Sequence, residues 1–274
     1  MPEPLQLSAD RARERAEVAK QRPIVLDVQS LTKSYGQVVA ANEVSFHVHE
    51  GSFTGLVGPN GAGKTTTLSM ITGLNRPTSG KVFVRETDVW GGDTTAKRVI
   101  GTLPDRLRLF DRLTGSQLLH YSGVLHGLDR RTIATRSHEL AAAFGLELAL
   151  DRLVSDYSSG MQKKIMLACA MIHAPQLLVL DEPYEGIDPV SAANVTEILE
   201  KYVAGGGSVL MSSHSLEFIQ RVCDHVIVIV GGDVVAGGTV AEVSAGTTLE
   251  KRFAELVDKS GGGLEWLHGL SDSV

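Results

Sequence analysis

Long hydrophobic runs are missing from this sequence. The longest strongly apolar stretches, such as Val226–Val230 and Leu177–Leu180, are strand-sized, far short of the roughly 20 residues that a membrane-spanning helix needs. If the protein works at a membrane, a partner must hold it there. The opening stretch MPEPLQLSADRARERAEVAK has no apolar core, so it does not read as a secretory signal. Cysteine is scarce: Cys169 and Cys223 sit among apolar neighbours without metal-ligand spacing, which predicts buried free thiols in a reducing compartment. A basic excess is lacking too. The formal net charge of -6 argues against nucleic acid as the main partner. What is present, 43% hydrophobic and 21% charged residues over 274 positions, excludes disordered and collagen-like classes. It allows one large α/β domain or two small ones with a sizeable core.

Residues 1–22 read as a charged N-terminal extension, with Ser8 as cap of a short helix over Ala9–Lys20 that Pro23 ends. A solvated tail and a segment that docks on a partner are both open for it. From Ile24 the pattern becomes strand-like. Val44–His49 alternates apolar and polar, Glu50-Gly51 supplies a turn, and Phe53–Val57 feeds a glycine-rich loop. A helix is expected over 64–73, then a Pro77–Gly80 turn and a short strand Lys81–Val84. Between 106 and 154 leucines recur at helical spacing without a convincing β-run, which reads as a helical subdomain. Alternation then returns: a helix through Ile172, strand Leu177–Leu180, helix Val190 to about Val203, strand Ser208–Met211, helix Leu216–Cys223, strand Val226–Val230. Such alternation predicts a largely parallel sheet flanked by helices. Near the end, Leu249–Val257 carries apolar positions at 249, 253, 256 and 257, suited to an amphipathic helix on the core. After Gly261–Gly263, Leu264–Leu270 forms an apolar patch around Trp266. A loose tail and a partner contact are both open for that last segment.

The chemistry begins at Gly58-Pro-Asn-Gly-Ala-Gly-Lys-Thr-Thr66, which fits G-x-x-x-x-G-K-[ST] after an apolar strand and before a helix. Glycines (Gly58, Gly61, Gly63) let backbone N–H groups converge on an anion without Cβ clashes, and the helix aims its positive end at the same point. Asn60 and Thr66 belong to this cradle. Lys64 can reach the β- and γ-phosphates, and the Thr65 hydroxyl can ligate Mg²⁺. A nucleoside triphosphate site follows. Leu177-Leu-Val-Leu-Asp-Glu-Pro183 is a buried strand ending in two acids. Asp181, at the C-terminal end of such a strand, lies where open α/β sheets bind ligands and can hold Mg²⁺ through a water. Glu182 can orient and deprotonate a water attacking the γ-phosphate.

Between these elements, about twenty residues before Asp181, stands Tyr157-Ser-Ser-Gly-Met-Gln-Lys-Lys164. In this position it resembles the signature of ABC ATPases, commonly L-S-G-G-Q, and its Y-S-x-G-M form resembles the exporter branch. The likeness runs from about Ile24 to Thr239. It implies an α/β fold with a P-loop NTPase (RecA-like) core, an antiparallel β-subdomain and an inserted helical subdomain at about 106–164. The ATPase domain would span 23–245 and a C-terminal extension 246–274. It further implies Tyr35 stacking on adenine, Asp188 in the loop that crosses to a second subunit, and His214 as a switch near the γ-phosphate. Two copies would stack head to tail, so that Ser158 and Gly160 of one complete the site of the other. The pair, most simply a homodimer, would close on ATP and Mg²⁺ and drive a separate transmembrane permease at the cytoplasmic face of the membrane. A soluble ABC-type ATPase in a non-transport process is the alternative, and a regulatory module without turnover a further one. Two departures stand out. Asp105 occupies the place where many members carry Gln, at the edge of the helical subdomain, where it could still meet Mg²⁺ or its water. Ser159 replaces the first signature glycine.

Overall fold

The structure, a computed structural model, describes residues 22–105 and 112–259. The helix expected at 9–20 and the Leu264–Leu270 patch lie outside the described residues. Among the described residues ten strands occur in chain order: β1 (Ile24–Tyr35), β2 (Val38–His49), β3 (Phe53–Val57), β4 (Ser79–Val84), β5 (Thr87–Asp88), β6 (Ile100–Leu103), β7 (Leu177–Leu180), β8 (Ser208–Ser212), β9 (His225–Val230) and β10 (Asp233–Thr239). The helices are α1 (Lys64–Ile71), α2 (Thr95–Arg98), α3 (Gly115–Leu125), α4 (Arg130–Phe144), α5 (Ser159–Met171), α6 (Pro189–Ala204), α7 (Leu216–Val222), α8 (Val240–Ser244) and α9 (Leu249–Lys259).

The strands form two sheets. One has the order β2-β1-β4-β5, antiparallel throughout. The other runs β10-β9-β3-β8-β7-β6, with parallel pairing except where β10 returns beside β9. The parallel strands are buried on both faces, and their alternation divides two cores. Leu178, Leu180, Val209, Met211, Val226 and Val228 face one cluster, shared with the helical region and α5 to α7. Leu177, Val179, Leu210, Ile227 and Ile229 face the other, shared with α1 and the antiparallel sheet. A side chain such as Leu178, fully buried, would cost about 2–5 kcal/mol on truncation to Ala.

The register aligns the ends that matter. Leu103 pairs with Leu180, Leu180 with Met211, and Met211 with Gly55. The segments following β3, β6, β7 and β8 therefore leave the sheet at one edge.

The helical region is built by local signals. Thr114 and Gln117 close a capping box on α3, Asp129 caps α4, and Gly145 ends α4 in the left-handed conformation. α5 runs past residue 164 to Met171 and carries the chain back onto β6 and the core. The amphipathic C-terminal helix packs as its pattern requires: Leu249 is fully buried, and Phe253 and Leu256 lie against the core.

Some boundaries differ from the sequence pattern. β4 begins at Ser79, so Gly80 lies in the strand instead of the turn. Ile100–Leu103 is a strand of the central sheet, and β10 extends that sheet beyond β9. Both were unmarked by hydrophobic alternation.

Candidate active site

The loop after β3 is shaped by its glycines. Gly63 has φ +100, and a Cβ there would lie 2.1 Å from the Ala40 carbonyl oxygen. Only glycine allows this approach of β2 to the loop. Ala62 N–H donates to Pro59 at 3.1 Å and Gly232 N–H donates to Ala62 at 3.1 Å, which ties the loop to the β9–β10 turn. α1 then starts with no side-chain cap and no acidic residue in its first turn. Its first N–H groups are left to an anion. Lys64 Nζ donates to the carbonyls of Gly58 (2.7 Å) and Pro59 (3.2 Å). Burial holds its pKa below the ordinary lysine value, against the opposing pull of Glu182 and Asp181.

Across the cavity, β7 delivers the two acids. Asp181 N–H donates to Leu103 at 2.8 Å, continuing the parallel ladder, and its side chain is almost fully buried. Ser212, buried on β8, donates from Oγ to Asp181 Oδ1 at 2.5 Å and accepts the Glu182 N–H at 2.9 Å. Glu182 takes a left-handed backbone with φ +48, a conformation that costs a non-glycine residue on the order of 1–2 kcal/mol. Its carboxylate stands 3.1 Å from His214 Nε2 and accepts the His214 N–H at 3.3 Å. Burial raises the Glu182 pKa, with Asp181 adding to the rise, while His214 and Lys64 oppose it. A carboxyl held in this balance is suited to exchanging a proton with water.

These groups share one open cavity of about 460 Å³, lined by Asn60, Gly61, Gly63, Lys64, Thr65, Thr66, Asp105, Asp181, Glu182 and His214, together with Ala40 and Glu185. Among the described residues no group of three or more His, Cys, Asp or Glu side chains could hold a metal on its own. The donor set instead fits Mg²⁺, which keeps waters and takes one or two carboxylates plus substrate phosphates. The Thr65 hydroxyl and the Asp181 and Asp105 carboxylates are available for it.

The other expected positions lie outside this cavity. Gly58 forms the base of the loop, where its carbonyl receives Lys64. Tyr35 ends β1 with its ring half-exposed, Lys33 Nζ 5.2 Å from the ring centre and its hydroxyl bonded by Asn75. Ser158 caps α5, accepting the Met161 N–H at 3.3 Å, and Gly160 lies in the first turn of that helix. Asp188 caps α6, and hydrogen bonds from Ser191 and Val190 hold its carboxyl below the usual range. Ser159, the departure in the signature, donates to the Gly186 carbonyl at 3.2 Å. Sequence reasoning passed over three positions that the geometry brings in: Ala40, Glu185 and Ser212. None carries a motif signal of its own, since Ala40 arrives from β2 and Ser212 from β8 only once the sheets are assembled.

This combination, a phosphate loop facing two strand-end acids and a histidine, has close counterparts. A family model described as ABC transporter matches residues 41–185. The chain belongs to this family, the ATP-binding cassettes of ABC transporters, which are ATPases. It is 36% identical over 222 residues to an uncharacterized ABC transporter ATP-binding protein, YxlF of Bacillus subtilis, covering 80% of this chain and 72% of that protein. The linearmycin resistance ATP-binding protein LnrL of Bacillus subtilis is 34% identical over 220 residues, with 80% and 70% covered. The doxorubicin resistance ATP-binding protein DrrA of Mycobacterium tuberculosis is 35% identical over 236 residues, with 85% and 70% covered. A solved ATP-binding subunit of an ABC transporter superposes with a TM-score of 0.80 at 30% identity, covering 85% of this chain and 99% of that one.

Proposed function

We propose that this chain is the ATP-hydrolysing subunit of an ABC exporter, acting as a pair of copies on a separate transmembrane permease at the cytoplasmic face of a membrane. The observation that carries this reading is the separation of two sets of groups on one chain. Lys64, Thr65, Asp181, Glu182 and His214 gather around an open cavity, while Ser158 and Gly160 lie outside it on the start of α5. A second copy, stacked head to tail, would supply the missing side of the cavity.

In this scheme the loop N–H groups and Lys64 bind the phosphates, and Tyr35 offers its exposed ring to the base. Asp188 lies in the loop that meets the other copy. Mg²⁺, held by Thr65 and Asp181 with Asp105 nearby, would neutralise charge on the phosphate oxygens. Glu182 Oε accepts the proton of the attacking water, and His214 holds that carboxylate in place. ATP contacts shared by both copies favour the closed pair, and loss of the γ-phosphate releases it. Among the described residues no helix is long and apolar enough to cross a membrane, which supports a separate permease. The exporter direction is supported by the resistance proteins among the relatives.

Mg²⁺-dependent turnover by the purified chain, compared with Glu182→Gln, tests the core of the reading. Expected is a loss of at least about 100-fold in kcat for the variant, with ATP-dependent dimerisation retained. Wild-type chain that binds ATP but neither hydrolyses it nor pairs, even with its permease added, would overturn it. Inside-out vesicles holding both subunits test direction: ATP-driven uptake of an apolar drug supports export, and ATP-driven loss of a preloaded solute refutes it.

A further inference from the structure

We propose that Ser212 is a positioning residue that sets Asp181 and Glu182 in their divergent directions; this rests on the roles given to those two acids above. A serine hydroxyl has one proton and two lone pairs. Here the proton is committed to Asp181 Oδ1 at 2.5 Å and a lone pair to the Glu182 N–H at 2.9 Å. The side chain is fully buried on β8, which shields the bond to Asp181 from solvent and leaves the bond to Glu182 part-buried. One hydroxyl thus spans two consecutive residues of the neighbouring segment.

The consequence for each acid is different. A carboxylate that accepts a short bond on Oδ1 is restricted in its rotation, which leaves Oδ2 for the cavity whose lining Asp181 shares with Thr65. Glu182 stands in a left-handed conformation, φ +48, which a non-glycine residue keeps only where its surroundings hold it. Ser212 holds its N–H, and His214 holds its carboxylate. Without the hydroxyl, the part-buried N–H loses its partner and the backbone is free to relax toward an ordinary conformation. The metal-side acid and the water-side acid are then misplaced together, from a residue that touches neither ligand.

The test uses the full chain with Ser212→Ala, Ser212→Cys and Ser212→Thr. Three quantities are read: kcat and KM for ATP, the midpoint for Mn²⁺ binding to the ADP-loaded chain, and ADP affinity in EDTA. Removing a group that orients a ligand-bearing carboxylate typically costs 10–100-fold. For Ser212→Ala we expect kcat lowered about 10–100-fold and the Mn²⁺ midpoint raised about 10-fold, with ADP affinity in EDTA unchanged. Ser212→Thr keeps the hydroxyl and restores most of both quantities. Ser212→Cys keeps the volume but donates weakly, and it falls between; it decides the matter if the alanine variant does not fold. A folded alanine or cysteine variant with wild-type kcat and Mn²⁺ midpoint overturns the proposal, as does a threonine variant that folds and rescues neither. If Asp181→Asn and Glu182→Gln themselves retain full turnover, the failure belongs to the roles assigned to the acids and takes this proposal with it.

Discussion

The cavity and the start of α5 handle polar groups in opposite ways. In the cavity, charge is concentrated and poorly compensated. Lys64 is shifted by burial, Glu182 is pushed up by burial and held in a left-handed backbone, and Asp181 leans on one serine. At the start of α5, the hydroxyls of Ser158 and Ser159 are satisfied locally, the first as a helix cap and the second by a loop carbonyl. Groups kept under tension in one place and at rest in the other point to different duties. The first set can bind and react within a single chain; the second can be presented to another molecule without disturbing its own fold. Perturbations should therefore separate the two.

The largest effect belongs to Lys64→Ala. A charged hydrogen bond is worth about 1.5–3 kcal/mol, and Lys64 would reach two phosphates. ATP affinity of the isolated chain, measured by calorimetry, should fall roughly 100-fold. Affinity within threefold of wild type would remove Lys64 from the phosphate site and blur the contrast.

Ser158 sharpens the comparison from the other side. Ser158→Ala should leave ATP affinity of the single chain unchanged, lower stability by about 1 kcal/mol through the lost cap, and reduce paired turnover roughly 10-fold or more. Ser158→Asp separates the two losses. Aspartate is an equally good cap, so unfolding by denaturant returns to wild type, but its charge would face the partner copy's γ-phosphate and turnover stays low. Turnover restored together with stability would mean that Ser158 acts only as a cap.

The sequence made the two sets unequally legible. Phe53–Val57 is a buried strand feeding the phosphate loop and Leu177–Leu180 a uniform apolar run ending in two acids, so both strands were readable to the residue. β6 escaped because, unlike β3, whose Thr54 and Gly55 are followed by the phosphate loop, it has Gly101 and Thr102 within four residues and no such loop to mark it. A Cβ at Gly101 would lie 2.2 Å from the Ala170 carbonyl oxygen, so packing of α5 on the strand demands the residue that hides it. β10 escaped for a related reason: Gly237 and Gly238 dilute its pattern, and its pairing with β9 is what defines it. Ser212 and Ala40 carry no chemistry that composition or spacing could mark. Ser212 matters through Asp181 and Glu182, 31 and 30 positions away, and Ala40 through a loop that follows a strand of the other sheet, and only tertiary structure supplies those.

A partly buried histidine gives a smaller, pH-dependent test outside both regions. His173, after α5, bonds the Ile100 carbonyl through Nε2 at 3.2 Å and lies against His126. Burial, then the His126 and Arg136 charges, lowers its pKa from 6.5 to about 4. The folded state thus resists a proton that the unfolded chain accepts. Its stabilising contribution is complete above pH 6.5 and is lost as pH falls from 6.5 toward 4. Allowing for partial solvent exposure, the slope is at most about 1 kcal/mol per pH unit. His173→Gln, which can keep the bond to Ile100, should show a shallower fall in melting temperature between pH 7 and pH 5. Parallel curves for the two proteins would show that other groups set the acid limit.

The smallest expected effect concerns Asp105, at the end of the segment that β6 brings to the cavity edge. Among the described residues, Asp105 adds a fourth carboxylate to a wall that already holds Asp181, Glu182 and Glu185 beside Lys64. A negative charge facing an anionic ligand opposes binding, but the same charge attracts the divalent cation that travels with it. Asp105→Gln removes the charge and keeps a polar head. Across several ångströms in a solvated cavity, one charge is worth under about 1 kcal/mol, so both changes should be about threefold. ATP affinity in EDTA should rise, and the Mg²⁺ concentration for half-maximal turnover should rise as well. The two shifts share a sign only if Asp105 acts on the metal as well as on the phosphates. Tighter ATP binding with an unchanged Mg²⁺ midpoint would confine Asp105 to the phosphate side, and no shift in either would leave it at the rim of the cavity, out of reach of both.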